Sequence, residues 1–352
     1  MADILANIID RKRQDLLDLQ KKVSFDTLTQ QIADARPVRD FYLAMTQPKR
    51  QLCVLSEVKK ASPSAGLIRE DFDPVAIAKA YAANGASAIS CLTDEPFFQG
   101  SLTYLSAISQ AVDLPVMRKD FIIDPYQIYE ARAAGADALL LIAECLSPQS
   151  LYSLHKLTGE LGMSCLLEIF DPANLDLAQQ VIADQPQTPT LLGINNRDLK
   201  AMVTHLDHTL NLVSKIHNLD ILVSESGIKT GKDVRRLRRQ GIHRILIGEY
   251  LMRQPDPGIA LAKLIADSEI EWPKRDQSPA KSKSTDKSDI TNNQNLARKT
   301  NIEKIKNNFC KSKKQNWRIQ KNNRMTVMHY LQLAYRKQYH FTGSDLLCRK
   351  AK

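Results

Sequence analysis

From Leu52 onward the chain repeats one unit: a short apolar, β-prone run, a loop, then a longer stretch of helical spacing. The runs fall at 52–58, 86–92, 115–118, 138–142, 164–169, 190–194, 221–223 and 244–247. Helical patterns follow, for example at 74–84, 125–134, 148–161 and 232–240. Several open on Asp-Pro or Ser-Pro, where the acidic or hydroxyl side chain caps and proline suits the first turn. Gly85, Gly135, Gly162 and Gly241 sit just past helix ends, where a left-handed cap favours glycine. Eight strand–helix units of roughly 25–30 residues predict an α/β fold, a (β/α)8 TIM barrel. A doubly wound open sheet fits less well, because no glycine-rich dinucleotide turn follows the first strand.

Ahead of the barrel, Ile4, Leu5, Ile8, Ile9, Leu16 and Leu17 recur at helical spacing with Lys and Arg between them. Residues 1–50 are therefore expected to form an N-terminal helical extension, and 51–270 the barrel. Residues 271–352 differ in kind. They carry 20 Lys and Arg against 6 Asp and Glu, whereas residues 1–270 carry 29 against 33. The net charge of +10 thus belongs to this basic, low-complexity tail. Its Ser-Pro-Ala-Lys-Ser-Lys-Ser start is linker composition, too polar to build a core. Further on, Trp317, Met325, Met328, Tyr330 and Tyr335 lie among basic residues, so RNA or an acidic surface is one possible partner. No signal peptide or membrane-length apolar run stands out, and the six cysteines lack a CxxC pair. Cys91, Cys145 and Cys165 read as small core residues in a reducing cytoplasm.

In a barrel the C-terminal strand ends carry the chemistry. The first strand delivers Glu57 and Lys59 two residues apart, on one face. The third ends Arg118-Lys119-Asp120-Phe121, and the fifth holds Glu168 within an apolar run. The sixth ends Asn195-Asn196-Arg197-Asp198, the seventh Ser224-Glu225-Ser226-Gly227, the eighth Gly248-Glu249. Each alone has a plain structural explanation: a surface ion pair, a buried salt bridge, a turn. Titratable groups converging from these strands on one mouth are harder to explain so, since buried charges must be paired or used.

These stretches, with Ala61-Ser62-Pro63-Ser64-Ala65-Gly66 and Phe98-Gln99-Gly100-Ser101, resemble the indole-3-glycerol-phosphate synthase family from about Ile4 to Ala266. The resemblance implies a cofactor-free, metal-free ring closure in tryptophan biosynthesis. The small-molecule substrate, 1-(2-carboxyphenylamino)-1-deoxyribulose 5-phosphate, becomes indole-3-glycerol phosphate, CO2 and water. It makes Lys119 the general acid on the ribulose carbonyl and Lys59 the partner of the substrate carboxylate. Glu168 becomes the base of the dehydration, Glu57 and Glu225 orient the lysines, and Asn195 hydrogen-bonds the reacting region. A cation nearby or a dry pocket would pull the Lys119 ammonium toward neutrality.

The phosphate is expected on the loops after strands seven and eight, at Ser226, Gly227, Gly248 and Glu249, with Ser62 reaching over from the first loop. Some family members have serine where Glu249 stands, so only its backbone N–H is expected to contribute. Phe98 and Phe121 flank the anthranilate ring or pack in the core, and Arg197 contacts substrate. His205 and His208 have a metal-like spacing but no third ligand pattern. A monomer or weak oligomer in the cytoplasm is expected. Two rivals follow from the same residues: a non-catalytic phosphate-binding barrel whose basic tail is the working part, and phosphoribosylanthranilate isomerase. The second expects a Cys/Asp pair where this chain offers Glu57 and Lys59.

Overall fold

Eight parallel strands close on themselves in the computed structural model, which describes residues 4–47, 51–198 and 203–269. The expected tail, 271–352, lies outside the described residues. The strands are β1 (Cys53–Val58), β2 (Ala88–Leu92), β3 (Val116–Lys119), β4 (Ala138–Ile142), β5 (Ser164–Ile169), β6 (Thr190–Asn195), β7 (Leu222–Glu225) and β8 (Arg244–Ile247). Each pairs with its sequence neighbours, and β8 returns to β1 in the register Cys53↔Arg244 to Ser56↔Ile247. Buried on both faces, these strands read as unbroken apolar runs, which is why they stand out in the sequence.

The connecting helices start and stop on the expected signals. Asp73 accepts from the Val75 and Ala76 N–H groups ahead of Pro74, and Asp124 forms a capping box with Gln127. Gly85 and Gly135 end helices at φ +100° and +90°. Three strands run further than their apolar signal: β3 to Lys119, β6 to Asn195 and β7 to Glu225. The parallel ladder carries them, as in Leu92↔Lys119 and Asn195↔Glu225. Lys119, Asn195 and Glu225 therefore sit on strand backbone and not on the loops beyond.

The N-terminal residues fold as helices Ile4–Lys22, Phe25–Asp34 and Phe41–Thr46. They share the barrel's core. Phe41 and Met45 are fully buried, and each such side chain contributes on the order of 2 kcal/mol. Arg36 grips the buried Asp137, just before β4, through two bonds of 2.7 and 2.8 Å. At the start of β8, Arg244 donates to the Met45 carbonyl at 2.9 Å. No helix of the described residues is long and apolar enough to cross a membrane.

Candidate active site

Strand parity builds the site. Glu57, Lys119, Glu168, Asn195 and Glu225 occupy inward positions near the C-terminal ends of five strands, and Lys59 follows β1 on the same face. Together they line a cavity of about 630 Å³, with apolar walls from Leu92, Leu140 and Leu246. Two glycines make room for the carboxylates. A Cβ on Gly193 would collide with the Glu225 carboxylate, and one on Gly248 with that of Glu57.

The charges form two linked pairs. Lys59 Nζ stands 2.5 Å from Glu57 Oε2. Lys119 Nζ donates to Glu168 Oε2 at 3.0 Å and lies 3.8 Å from Glu225. Asn195 Nδ2 donates to the other Glu168 oxygen at 2.9 Å, so both oxygens of that buried carboxylate are engaged. Neither Glu225 oxygen meets a donor among the described residues.

Electrostatics correct one expectation. Lys119 is not pulled toward neutrality. Burial alone would lower its pKa, but Glu168, Glu225 and Glu57 outweigh burial and raise it. Glu57 moves the other way: burial opposes its charge, and Lys59, Lys119 and Arg197 together hold its carboxyl below the ordinary range. Glu225 bears the cost of the crowding. Burial first, then the neighbouring Glu168 charge, push its pKa well above the usual carboxylate value despite Lys119.

The loops after β7 and β8 form one side of the cavity. Ser226 and Gly227 are both left-handed, at φ +67° and +75°, a conformation that costs a serine energy. Asn196, quoted in the sequence pattern without a role, holds that turn. Its Nδ2 donates to the Ser226 carbonyl at 3.1 Å, and its Oδ1 accepts from Thr209 N–H and hydroxyl at 2.9 and 2.8 Å. Gly248 precedes the short Glu249–Met252 turn and offers no side chain to cap it. Ser226, Gly227, Gly248 and Glu249 all line the cavity.

Ser62 does not. It is buried in a two-residue ribbon, Ala61–Ser62 against Gly66–Leu67, where its hydroxyl accepts from the Ala65 N–H. Ser64, whose hydroxyl lies 3.4 Å from that of Ser62, takes a 2.6 Å bond from Arg197. Glu249 contributes more than backbone: its carboxylate accepts from Arg197 at 2.9 Å and Arg253 at 3.2 Å. Phe98 and Phe121 both line the cavity with ring centroids 6.1 Å apart. His208 is bonded to the Phe170 carbonyl at 2.6 Å and stacked on its ring.

One residue near the mouth escaped the sequence reading. Lys12, on the first helix, reaches Asp94 at 2.9 Å and Asp120 at 2.7 Å. Its signal was a lysine in line with the buried stripe Leu5, Ile8, Ile9 and Leu16.

A closed parallel barrel whose mouth gathers two lysines, three carboxylates and an amide in one cavity is the architecture of a (β/α)8-barrel enzyme acting on a small molecule. A sequence profile described as "Indole-3-glycerol phosphate synthase" matches residues 5–264. The chain is 51% identical over 265 residues to the indole-3-glycerol phosphate synthase of Rhodopirellula baltica, covering 75% of this chain and 99% of the relative. It is 46% identical to that of Acidithiobacillus ferrooxidans, covering 76% and 100%, and 45% identical to that of Geobacillus thermodenitrificans, covering 76% and 98%. The chain belongs to the indole-3-glycerol phosphate synthase family, which places it in tryptophan biosynthesis. This disfavours the non-catalytic barrel.

Proposed function

We propose that this chain closes the indole ring as a carboxy-lyase acting on 1-(2-carboxyphenylamino)-1-deoxyribulose 5-phosphate, with the two lysines and Glu168 moving the protons. The observation that carries the reading is the Lys119–Glu168 pair at 3.0 Å beside the Lys59–Glu57 pair at 2.5 Å, in one cavity.

The ring carbon that bears the carboxylate attacks the ribulose carbonyl carbon. The carbonyl electron pair moves to oxygen, which takes a proton from Lys119. Because three carboxylates raise the Lys119 pKa, it resists giving up that proton in the resting enzyme. The transfer becomes favourable only as the oxygen turns from carbonyl toward alkoxide. CO2 then leaves, and the electrons of its bond return to the ring. Glu168 takes a proton from the carbon next to nitrogen while the new hydroxyl departs as water with a proton from Lys59. Glu168 can hand its proton back to Lys119 across the same 3.0 Å contact, and Lys59 is recharged from solvent. Glu57 holds Lys59 in place, and Asn195 fixes the Glu168 carboxylate.

Phe98 and Phe121 are read as the walls for the anthranilate ring, and Arg197 as a substrate contact. Phosphate is assigned to Ser226, Gly227, Gly248 and the Glu249 backbone, which line the cavity on the loops after β7 and β8. Residues 1–50, 51–270 and 271–352 are kept as extension, barrel and tail. A cytoplasmic location is supported by the four free thiols at Cys53, Cys91, Cys145 and Cys165. A monomer or weak oligomer is supported by the scatter of large exposed apolar side chains, such as Leu17 and Ile259.

The test is an indole-fluorescence assay of the full chain beside Lys119→Met. Product from the parent alone is expected. A folded, phosphate-binding parent that makes no product overturns the reading.

A further inference from the structure

Lys12 is the one charged residue among the buried positions of the first helix, at 8% exposure between Ile9 and Leu16. An ammonium placed there is costly unless it is paired, and its two partners are themselves buried. Asp94 is fully buried and Asp120 is 2% exposed.

Each aspartate governs one turn at the cavity mouth. Asp94 caps the helical turn Glu95–Phe98, accepting from the Phe97 N–H at 2.9 Å, and its carbonyl takes the Gly100 N–H at 2.8 Å. That turn carries Phe98 into the cavity. Asp120 accepts from the Phe121 N–H at 2.8 Å and so sets the backbone that presents Phe121. Its second oxygen takes the Thr93 hydroxyl at 2.5 Å and Arg118 at 3.0 Å. Arg118 is anchored in turn by Glu130 at 2.8 Å. Asp120 is thus fixed to the barrel without Lys12, whereas the Asp94 oxygen facing Lys12 has no hydrogen-bond donor of its own.

We propose that Lys12 is a positioning residue for the aromatic side of the site. It bridges Asp94 to Asp120, so that the turn bearing Phe98 stands at its working distance from Phe121. The inference rests on the reading of the cavity as the site of ring closure. Without the cation, two buried carboxylates face each other and the less anchored Asp94 turn yields. Lys119, on β3, and the phosphate recess after β7 and β8 stay where they are. The first helix then acts on substrate affinity through its grip on one wall.

The experiment uses the full chain and three variants, Lys12→Gln, Lys12→Arg and Asp94→Asn. Steady-state turnover with the carboxyphenylamino-deoxyribulose phosphate is measured beside binding of inorganic phosphate. Lys12→Gln and Asp94→Asn are expected to raise KM by about tenfold with kcat little changed, the split of a lost binding interaction. Phosphate binding stays at the parent's level, and Lys12→Arg recovers most of the KM. Asp94→Asn keeps a capping oxygen, so it carries the test if Lys12→Gln fails to fold. Unchanged KM in an active, folded Asp94→Asn, or phosphate affinity lost in step with KM, overturns the proposal and leaves Lys12 as a helix anchor. An inactive parent overturns the reading of the site itself, and this inference with it.

Discussion

Replacing Lys119 by methionine removes one charge and little volume, so it isolates what the ammonium does for the carboxylates around it. The structure sets the scale. At an effective dielectric constant of about 20, a contact of 3.0 Å to Glu168 corresponds to roughly 5–6 kcal/mol, and 3.8 Å to Glu225 to roughly 4 kcal/mol. Desolvation of the ammonium offsets most of this, and removal of one partner from a buried pair costs about 3–5 kcal/mol net. That cost depends on pH. Without Lys119, the already raised Glu225 holds a proton in the folded variant that it releases on unfolding above the ordinary carboxylate pKa. The variant therefore loses stability as pH rises from the ordinary carboxylate range toward the raised folded value of Glu225. Urea unfolding of parent and Lys119→Met is expected to show a small difference near pH 5 that grows to about 3–5 kcal/mol near pH 8. Turnover is lost at both. Equal stability losses at the two pH values would refute the reasoning, because they would mean that Lys119 matters for packing and not for balancing charge.

Other outcomes follow from the same geometry. Glu225 has its pKa raised in the folded state, so it gives stability at low pH that is lost as pH rises. Glu225→Gln should accordingly raise Tm relative to the parent at alkaline pH and not near pH 4, as calorimetry can read. Glu168→Gln keeps a partner for Asn195 but cannot take a proton; kcat is expected to fall about 100-fold or more, with the Tm change small beside that of Lys119→Met. A variant that unfolds would make Glu168 structural. Deleting residues 274–352 should leave kcat/KM unchanged, and a dead truncated enzyme would overturn that.

The legible parts of this chain were those set by local rules. Strand and helix alternation, proline and aspartate at helix starts, and glycine at helix ends depend on neighbours in sequence, and they locate all eight strands. Glu168 was legible because a charge in an apolar run is conspicuous, and Glu225 because it ends a strand beside a Ser-Gly turn. What could not be read was who faces whom. Lys119 was expected to be an acidified ammonium, but three carboxylates from three other strands face it, and only the closed ring sets that number. In the Ser-Pro-Ser loop, Ser62 is paired into the ribbon and accepts from the Ala65 N–H, while Ser64, in the turn, is the one that Arg197 reaches. Lys12 lies 82 residues from Asp94 and 108 from Asp120, so no local signal links them.

The hydrogen-bonded seam between β8 and β1 has a consequence for the life of the chain on the ribosome. Glu57 and Lys59 are made early, Glu225 and Gly248 late, and a nascent chain stopped anywhere before Ile247 holds only an arc. Such an arc has two open edges and an unfinished mouth, and β1 is joined to β7 only when the last strand slides in between them. The first helix, made before any of them, finds Asp94 and Asp120 only after β2 and β3 exist. Synthesis order and assembly order therefore run differently here, and the slow step of maturation is expected to be the closing of the circle.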